Sequence, residues 1–164
     1  MNADNIKIEI GGKTGASADI LAGRIMLERV DELLKLGRDL AFETTLASRS
    51  LLRRVSATRE VGYLFHLIYL WLPTPEMAVE RVAARVRAGG HSIPESVVRR
   101  RYGRSLSNFF NLYRPVADSW LMLDNSGTPE PWPIAWRNVG GPIQIVKDGP
   151  WGRLRNEYET DPFS

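Results

Sequence analysis

Tyr63-Leu64-Phe65-His66-Leu67-Ile68-Tyr69-Leu70-Trp71-Leu72 (YLFHLIYLWL, 63–72), followed at once by Pro73-Thr74-Pro75-Glu76, decides the fold. The run is nearly all apolar and rich in aromatic and branched side chains. It is too short to cross a bilayer and reads as a central strand buried on both faces, as in parallel sheets. The next residues turn the chain into a helix. Thr74 offers a capping hydroxyl, Pro75 stands at the first helical position, and Glu76 sits near the positive end of the dipole. Val79, Val82, Ala83 and Val86 give that helix a buried face, and Gly89-Gly90 stop it.

The same alternation extends in both directions. Upstream, Ser17 can cap a helix over about 18–36 that carries Ile20, Leu27, Val30, Leu33 and Leu34 at helical spacing, with Gly37 as its left-handed C-cap. Leu40 to Thr45 is apolar at first and polar at its end, which predicts a short buried strand finishing in an exposed loop. Leu51, Leu52 and Val55 mark a helix that ends before Gly62. Downstream, Pro94 opens a helix with an apolar stripe of Val98, Tyr102, Leu106, Phe109, Phe110 and Tyr113, and Arg100, Arg104 and Asn108 share another face. Trp120 to Leu123 is a further strand ending in the Asp124-Asn125-Ser126-Gly127 turn, and two short strands at about 134–139 and 142–147 predict a C-terminal hairpin. The expectation is a single α/β domain over 1–164, three-layered, with a mainly parallel sheet and a short hairpin at the end.

Composition narrows the function. A chain of 164 residues, 43% hydrophobic and 25% charged, can bury a sizeable core. No apolar run is long enough to span a membrane, no signal-peptide pattern opens the chain, and a cytoplasmic location is expected. With no cysteine, thiolate metal sites and cysteine nucleophiles are excluded, and His66 and His91 are too far apart to suggest a metal site. His66, alternating with apolar neighbours, reads as a core residue. Net charge is only +3, yet Arg85, Arg87, Arg99, Arg100, Arg101 and Arg104 crowd into residues 85–104, which points to an anionic partner.

Ligands of such sheets bind at the carboxyl ends of the strands. The polar groups expected there are Asp4, a potential proton acceptor; Glu43-Thr44-Thr45, an acceptor beside two hydroxyls; and the turn at Asp124 to Gly127. The arginine segment reads either as a lid over phosphates or as a solvated basic face. Residues 8–15, IEIGGKTG, imitate the phosphate loop G-x-x-x-x-G-K-[ST], but position 7 is Lys7 where its first glycine belongs. Lys13 is therefore read as a surface lysine.

Several blocks in order, MNAD (1–4), AGRIMLERVDELL (22–34), AFETTLASRSLL (41–52), HLIYLWLPTPEMAVERVAARVRAGGH (66–91), IPESVVRRRY (93–102), NFFNLYRPVADSW (108–120) and LDNSG (123–127), resemble the bacterial zeta-toxin-like P-loop kinases over residues 1–127. The resemblance implies ATP and Mg2+ as cofactors and phosphoryl transfer to a small-molecule hydroxyl; the toxins of the family phosphorylate a nucleotide-activated amino sugar. It implies Asp4 as catalytic base, Glu43, Thr44 and Thr45 as substrate contacts, and Asn125 near the nucleotide base. Two lid arginines clamp phosphates in the family: Arg87 and Arg100 have the spacing, with Arg85 and Arg99 as alternatives. An antitoxin protein is an implied partner, and no membrane is.

Members of the family carry a strand and a complete phosphate loop ahead of the block that MNAD resembles. The expectation is thus an N-terminally incomplete sheet and a truncated or inactive kinase, with a non-catalytic nucleotide- or partner-binding module, or a loop supplied by another chain, as alternatives. Nucleic-acid binding through 85–104 is the weakest reading, because no aromatic side chain is interleaved with the arginines before Tyr102.

Overall fold

The computed structural model describes residues 16–127 and 130–160, with side chains from Leu21 onward. Asp4, Lys7 and Lys13 lie outside the described residues. The chain divides into two compact units, Met1–Thr44 and Thr45–Ser164. In the first, helix α1 (Ala16–Lys35) buries Ala22 and Val30. It ends as the sequence predicts: Gly37 takes a φ of 65°, its N–H donates to Leu34 O at 3.0 Å, and Arg38 N–H donates to Leu33 O at 3.0 Å. These two hydrogen bonds close the last turn in a conformation that a side chain would strain.

The second unit runs α2 (Ser50–Glu60), β1 (His66–Trp71), α3 (Pro75–Arg87), α4 (Glu95–Asn108), a π-helical turn (Phe109–Tyr113), a last helical turn (Arg114–Val116), β2 (Ser119–Asp124), β3 (Trp132–Arg137), β4 (Ile143–Ile145) and α5 (Asp148–Tyr158). The sheet has the order β1-β2-β3-β4. β1 and β2 are parallel, from His66 opposite Ser119 to Trp71 opposite Asp124, whereas β2–β3 and β3–β4 are antiparallel.

The mainly parallel sheet is therefore corrected to a mixed one, with a single parallel pair among the described strands. Only the β1–β2 connection is long enough for a crossover, and its helices fill it; the links from β2 to β3 and from β3 to β4 are short and return the chain antiparallel. The expected hairpin is present, and it extends the main sheet. Leu40 to Thr45 forms no strand. Apolar residues of strand character need a ladder partner, which local sequence cannot supply. The 63–72 run is also not central among the described strands: β1 lies at one end of the sheet order, with Leu67 and Trp71 buried but Ile68 66% and Leu70 55% exposed. His66 is exposed rather than in the core, and its Nδ1 lies 2.7 Å from Ser119 Oγ across the parallel pair.

The covered face is aromatic. Phe109 meets Tyr69 (centroids 4.9 Å apart), Phe110 (5.1 Å) and Trp120 (5.9 Å), and Trp151 of α5 stacks on Trp120 at 5.3 Å. The π turn makes this possible. Arg114 N–H reaches back five residues to Phe109 O just before Pro115, which has no N–H to offer a regular helix. The widened turn rotates Phe109, Phe110 and Tyr113 together into the core, where each is at most 1% exposed. Trp151 and Leu154 hold α5 against this cluster, and the Arg114 guanidinium lies 5.1 Å above the Phe110 ring, 5.7 Å above that of Trp151, and pairs with Glu159.

Candidate functional site

The carboxyl ends of β1 and β2 are built from polar contacts. Asn125 N–H donates to Trp71 O at 2.8 Å, Arg81 of α3 donates to Asn125 O, and Tyr102 OH of α4 donates to Leu72 O at 2.8 Å. Asp124 Oδ1 accepts from Ser126 N at 3.0 Å and from Ser126 Oγ at 2.5 Å, while Oδ2 faces Lys147 Nζ at 3.2 Å. Burial by itself would raise the Asp124 carboxyl; the bonds from Ser126 and Lys147 outweigh it and hold the group below the usual carboxylate range. Asp124 is thus an ionised structural anchor of the turn. Asn125 keeps a half-buried side chain with no hydrogen bond among the described residues, at the strand end where the sequence reading places it.

The arginines separate into two sets. α3 ends in a left-handed cap: Gly89 has a φ of 94° and donates to Val86 O at 3.0 Å, and Gly90 donates to Arg85 O at 2.9 Å. A Cβ on Gly90 would stand 2.9 Å from Arg85 O, so the sharp return into α4 depends on glycine there. α3 and α4 pack together, and Arg99 bonds Glu76 of α3 and, at 2.7 Å, Glu95 one turn earlier on α4 itself. The Glu76 and Glu95 hydrogen bonds push the Arg99 guanidinium up, and its positive charge is matched by two carboxylates. Arg87, Arg100, Arg101 and Arg104 have no hydrogen-bond or ion-pair partner among the described residues. Arg100 and Arg104 are exposed on the α4 face that also carries Ser107 and Asn108.

That face meets an irregular loop. Leu46 is 3% exposed and takes a φ of 56°, an outlier for a bulky side chain. Asn108, 7% exposed, donates its Nδ2–H to Leu46 O at 2.8 Å, and Tyr113 OH donates to Ser48 O at 2.6 Å. Ser48 Oγ accepts from Ser50 N at 3.1 Å at the start of α2. α4 and the π turn thus hold the loop in a strained conformation. Beside it opens a polar cavity of about 510 Å³ lined by Ala47, Ser48, Arg49, Arg104, Ser107 and Asn108.

Of the sequence-predicted residues, Thr45 is exposed at the head of this loop; Glu43 and Thr44 belong to the first unit and are exposed. Arg85 and Arg87 are exposed in the last turn of α3. Ser48, Arg49 and Ser107 were missed, since none stands out until the loop is folded against α4. The signal for Arg49 was a cation just before a helix start, where the dipole disfavours one. Among the described residues no group of three His, Asp or Glu could hold a metal ion. They form no protein cage for magnesium.

An α/β unit whose parallel strands end at a polar edge is of the class in which ligands bind at the carboxyl ends of the strands. The family model described as Zeta toxin matches residues 9–125, and the chain belongs to this family, which makes the fold that of a P-loop-kinase-like domain. An uncharacterized protein of Haemophilus influenzae is 32% identical over 102 residues, covering 62% of this chain and 73% of the relative. No solved structure matches. No described helix is long and apolar enough to cross a membrane.

Proposed function

We propose that this domain serves ATP-dependent phosphoryl transfer to the hydroxyl of a small molecule, with α3 and α4 as the phosphate-facing side. The observation that supports this best is the pattern of charge on the α3–α4 hairpin: in a zeta-toxin-family chain, Arg87, Arg100 and Arg104 have no carboxylate partner among the described residues, while Arg99 is held by Glu76 and Glu95. Guanidinium forks match phosphate oxygens and stabilise charge that spreads over a transferring phosphoryl group. Arg87 and Arg100 are the preferred clamp and Arg85 and Arg99 the alternatives; Asn125 would approach the nucleotide base; Glu43, Thr44 and Thr45 would contact the acceptor, and Asp4 would take its proton. Mg2+ would enter with the nucleotide, since it is commonly held by one or two carboxylates and substrate phosphates. We place the protein in the cytoplasm, with an antitoxin protein as a candidate partner.

The test is calorimetric titration of the full chain with ATP, with and without magnesium, followed by a transfer assay with labelled ATP and hydroxyl acceptors. Magnesium-dependent binding that weakens about tenfold in Arg100→Gln is expected. A chain with no affinity for any nucleotide refutes the reading. A second reading, nucleotide binding without turnover, is favoured by the absence of a complete G-x-x-x-x-G-K-[ST] from residues 1–164. It is recognised by binding with no labelled product.

A further inference from the structure

We propose that the cavity between the Thr45–Arg49 loop and α4 is a phosphate-group subsite, with Arg49 and Arg104 as its cationic arms, additional to the clamp formed by Arg87 and Arg100. The cavity stands by itself; the phosphotransferase reading enters only for the source of the phosphate.

Three local departures from stability converge on this one cavity. First, Arg49 occupies the N-cap of α2, makes no capping bond, and is followed by a first turn without an acid. A cation at the positive end of an eleven-residue helix is electrostatically unfavourable, and serine, threonine, aspartate or asparagine would serve the helix better. Second, Arg104 lines the same cavity, and the described residues that line it include no carboxylate, so two arginines border a common space without an acidic partner in that lining. An anion in that space relieves both costs. Third, Leu46 is held in the left-handed region by Asn108 and Tyr113, which fixes the backbone that carries Ser48 and Arg49. Strain kept in place by buried hydrogen bonds marks positions where geometry serves something besides folding.

The chemistry favours a phosphate over a carboxylate. Two guanidinium forks, hydroxyls from Ser48 and Ser107 and the positive end of α2 supply more donors than a carboxylate's two oxygens can use, while a phosphate ester presents three. The volume of about 510 Å³ leaves room for the small molecule that bears it. Two sources share this chemistry: a phosphorylated acceptor, or a phosphate of the nucleotide.

The experiment titrates the full chain with inorganic phosphate by calorimetry and phosphorus NMR, in wild type, Arg49→Gln, Arg104→Gln and Arg153→Gln. Arg153 is exposed on α5, so its variant carries the same change in net charge away from the cavity. Saturable binding should weaken about ten- to a hundredfold in Arg49→Gln and in Arg104→Gln, with thermal melting in the absence of phosphate no lower than in wild type, and remain at the wild-type level in Arg153→Gln. Equal affinity in all four proteins, or no saturable binding in the wild type, overturns the proposal. Competition then separates the sources: displacement of bound phosphate by a hexose phosphate assigns the subsite to the acceptor, and displacement by ATP alone assigns it to the nucleotide. Displacement by neither overturns a role in ligand binding. Phosphate binding through Arg49 and Arg104 in a chain without labelled transfer product keeps this subsite and rejects the kinase reading, so the two fail separately.

Discussion

Replacing Asn108 by alanine tests whether the loop after Thr45 is held under strain by α4. Asn108 is 7% exposed, and its Nδ2–H is the donor to Leu46 O at 2.8 Å. Its removal deletes a buried hydrogen bond and leaves the carbonyl of Leu46 without that partner, a loss of about 1–3 kcal/mol. In a unit of about 120 residues each kcal/mol moves the melting temperature by roughly 3–5 °C, so a fall of about 3–15 °C is expected. Circular dichroism melts and urea titrations measure it. The companion variant Leu46→Gly keeps the bond and releases the backbone from φ 56°, a gain of about 1–2 kcal/mol. It also empties a buried leucine position, which costs roughly 2–5 kcal/mol. It should therefore be destabilised by about 0–4 kcal/mol, about 1–2 kcal/mol less than the cavity alone would cost. An Asn108→Ala protein that melts within about 1 °C of wild type would refute the clamp. A Leu46→Gly protein that shows the full cavity cost would refute the strain.

Other consequences can be checked with the same purified chain. Gly90→Ala places a Cβ 2.9 Å from Arg85 O, and the backbone shift it forces should cost about 1–3 kcal/mol in urea unfolding. Arg59 and the Phe65 N–H, at 2.7 Å, hold the Asp118 carboxyl below the ordinary carboxylate range. A carboxyl depressed in the folded state contributes stability above its unfolded pKa and loses it as pH falls through the folded one. The acid limb of the stability curve should accordingly be shallower in Asp118→Asn than in wild type, and equal slopes would contradict the pairing. For nucleotide, Arg87→Gln and Arg100→Gln should weaken magnesium-ATP binding more than Arg99→Gln, whose guanidinium is already matched by Glu76 and Glu95. The reverse order in calorimetry would move the clamp to Arg99.

Helix boundaries were legible because their signals are local. Thr74 accepts from Met77 N–H at 3.2 Å ahead of Pro75, and Gly37, Gly62 and Gly89 take positive φ where the sequence places helix ends. The α4 stripe was read correctly through Tyr113 although its phase shifts, because the π turn before Pro115 brings Phe109, Phe110 and Tyr113 to one side. α5 was overlooked: Trp151, Leu154 and Tyr158 have helical spacing, but Gly149, Pro150 and Gly152 among them look like a loop. Its helicity comes from packing against Trp120 and Phe110.

By itself the sequence determined the α/β alternation, the helix ends, the concentration of arginine in 85–104 and the resemblance to zeta-toxin-like kinases, since each is written in neighbouring residues or in the order of blocks. Only the tertiary structure decided which strands pair and in which direction, that Arg99 is occupied while Arg100 and Arg104 have no partner among the described residues, and that Arg49 and Arg104 line one cavity beside a strained loop. Strand pairing depends on partners distant in the chain, and a guanidinium's availability depends on carboxylates that folding carries to it. Arg99 and Arg100 are adjacent in sequence, yet helix geometry turns one toward Glu76 and the other away.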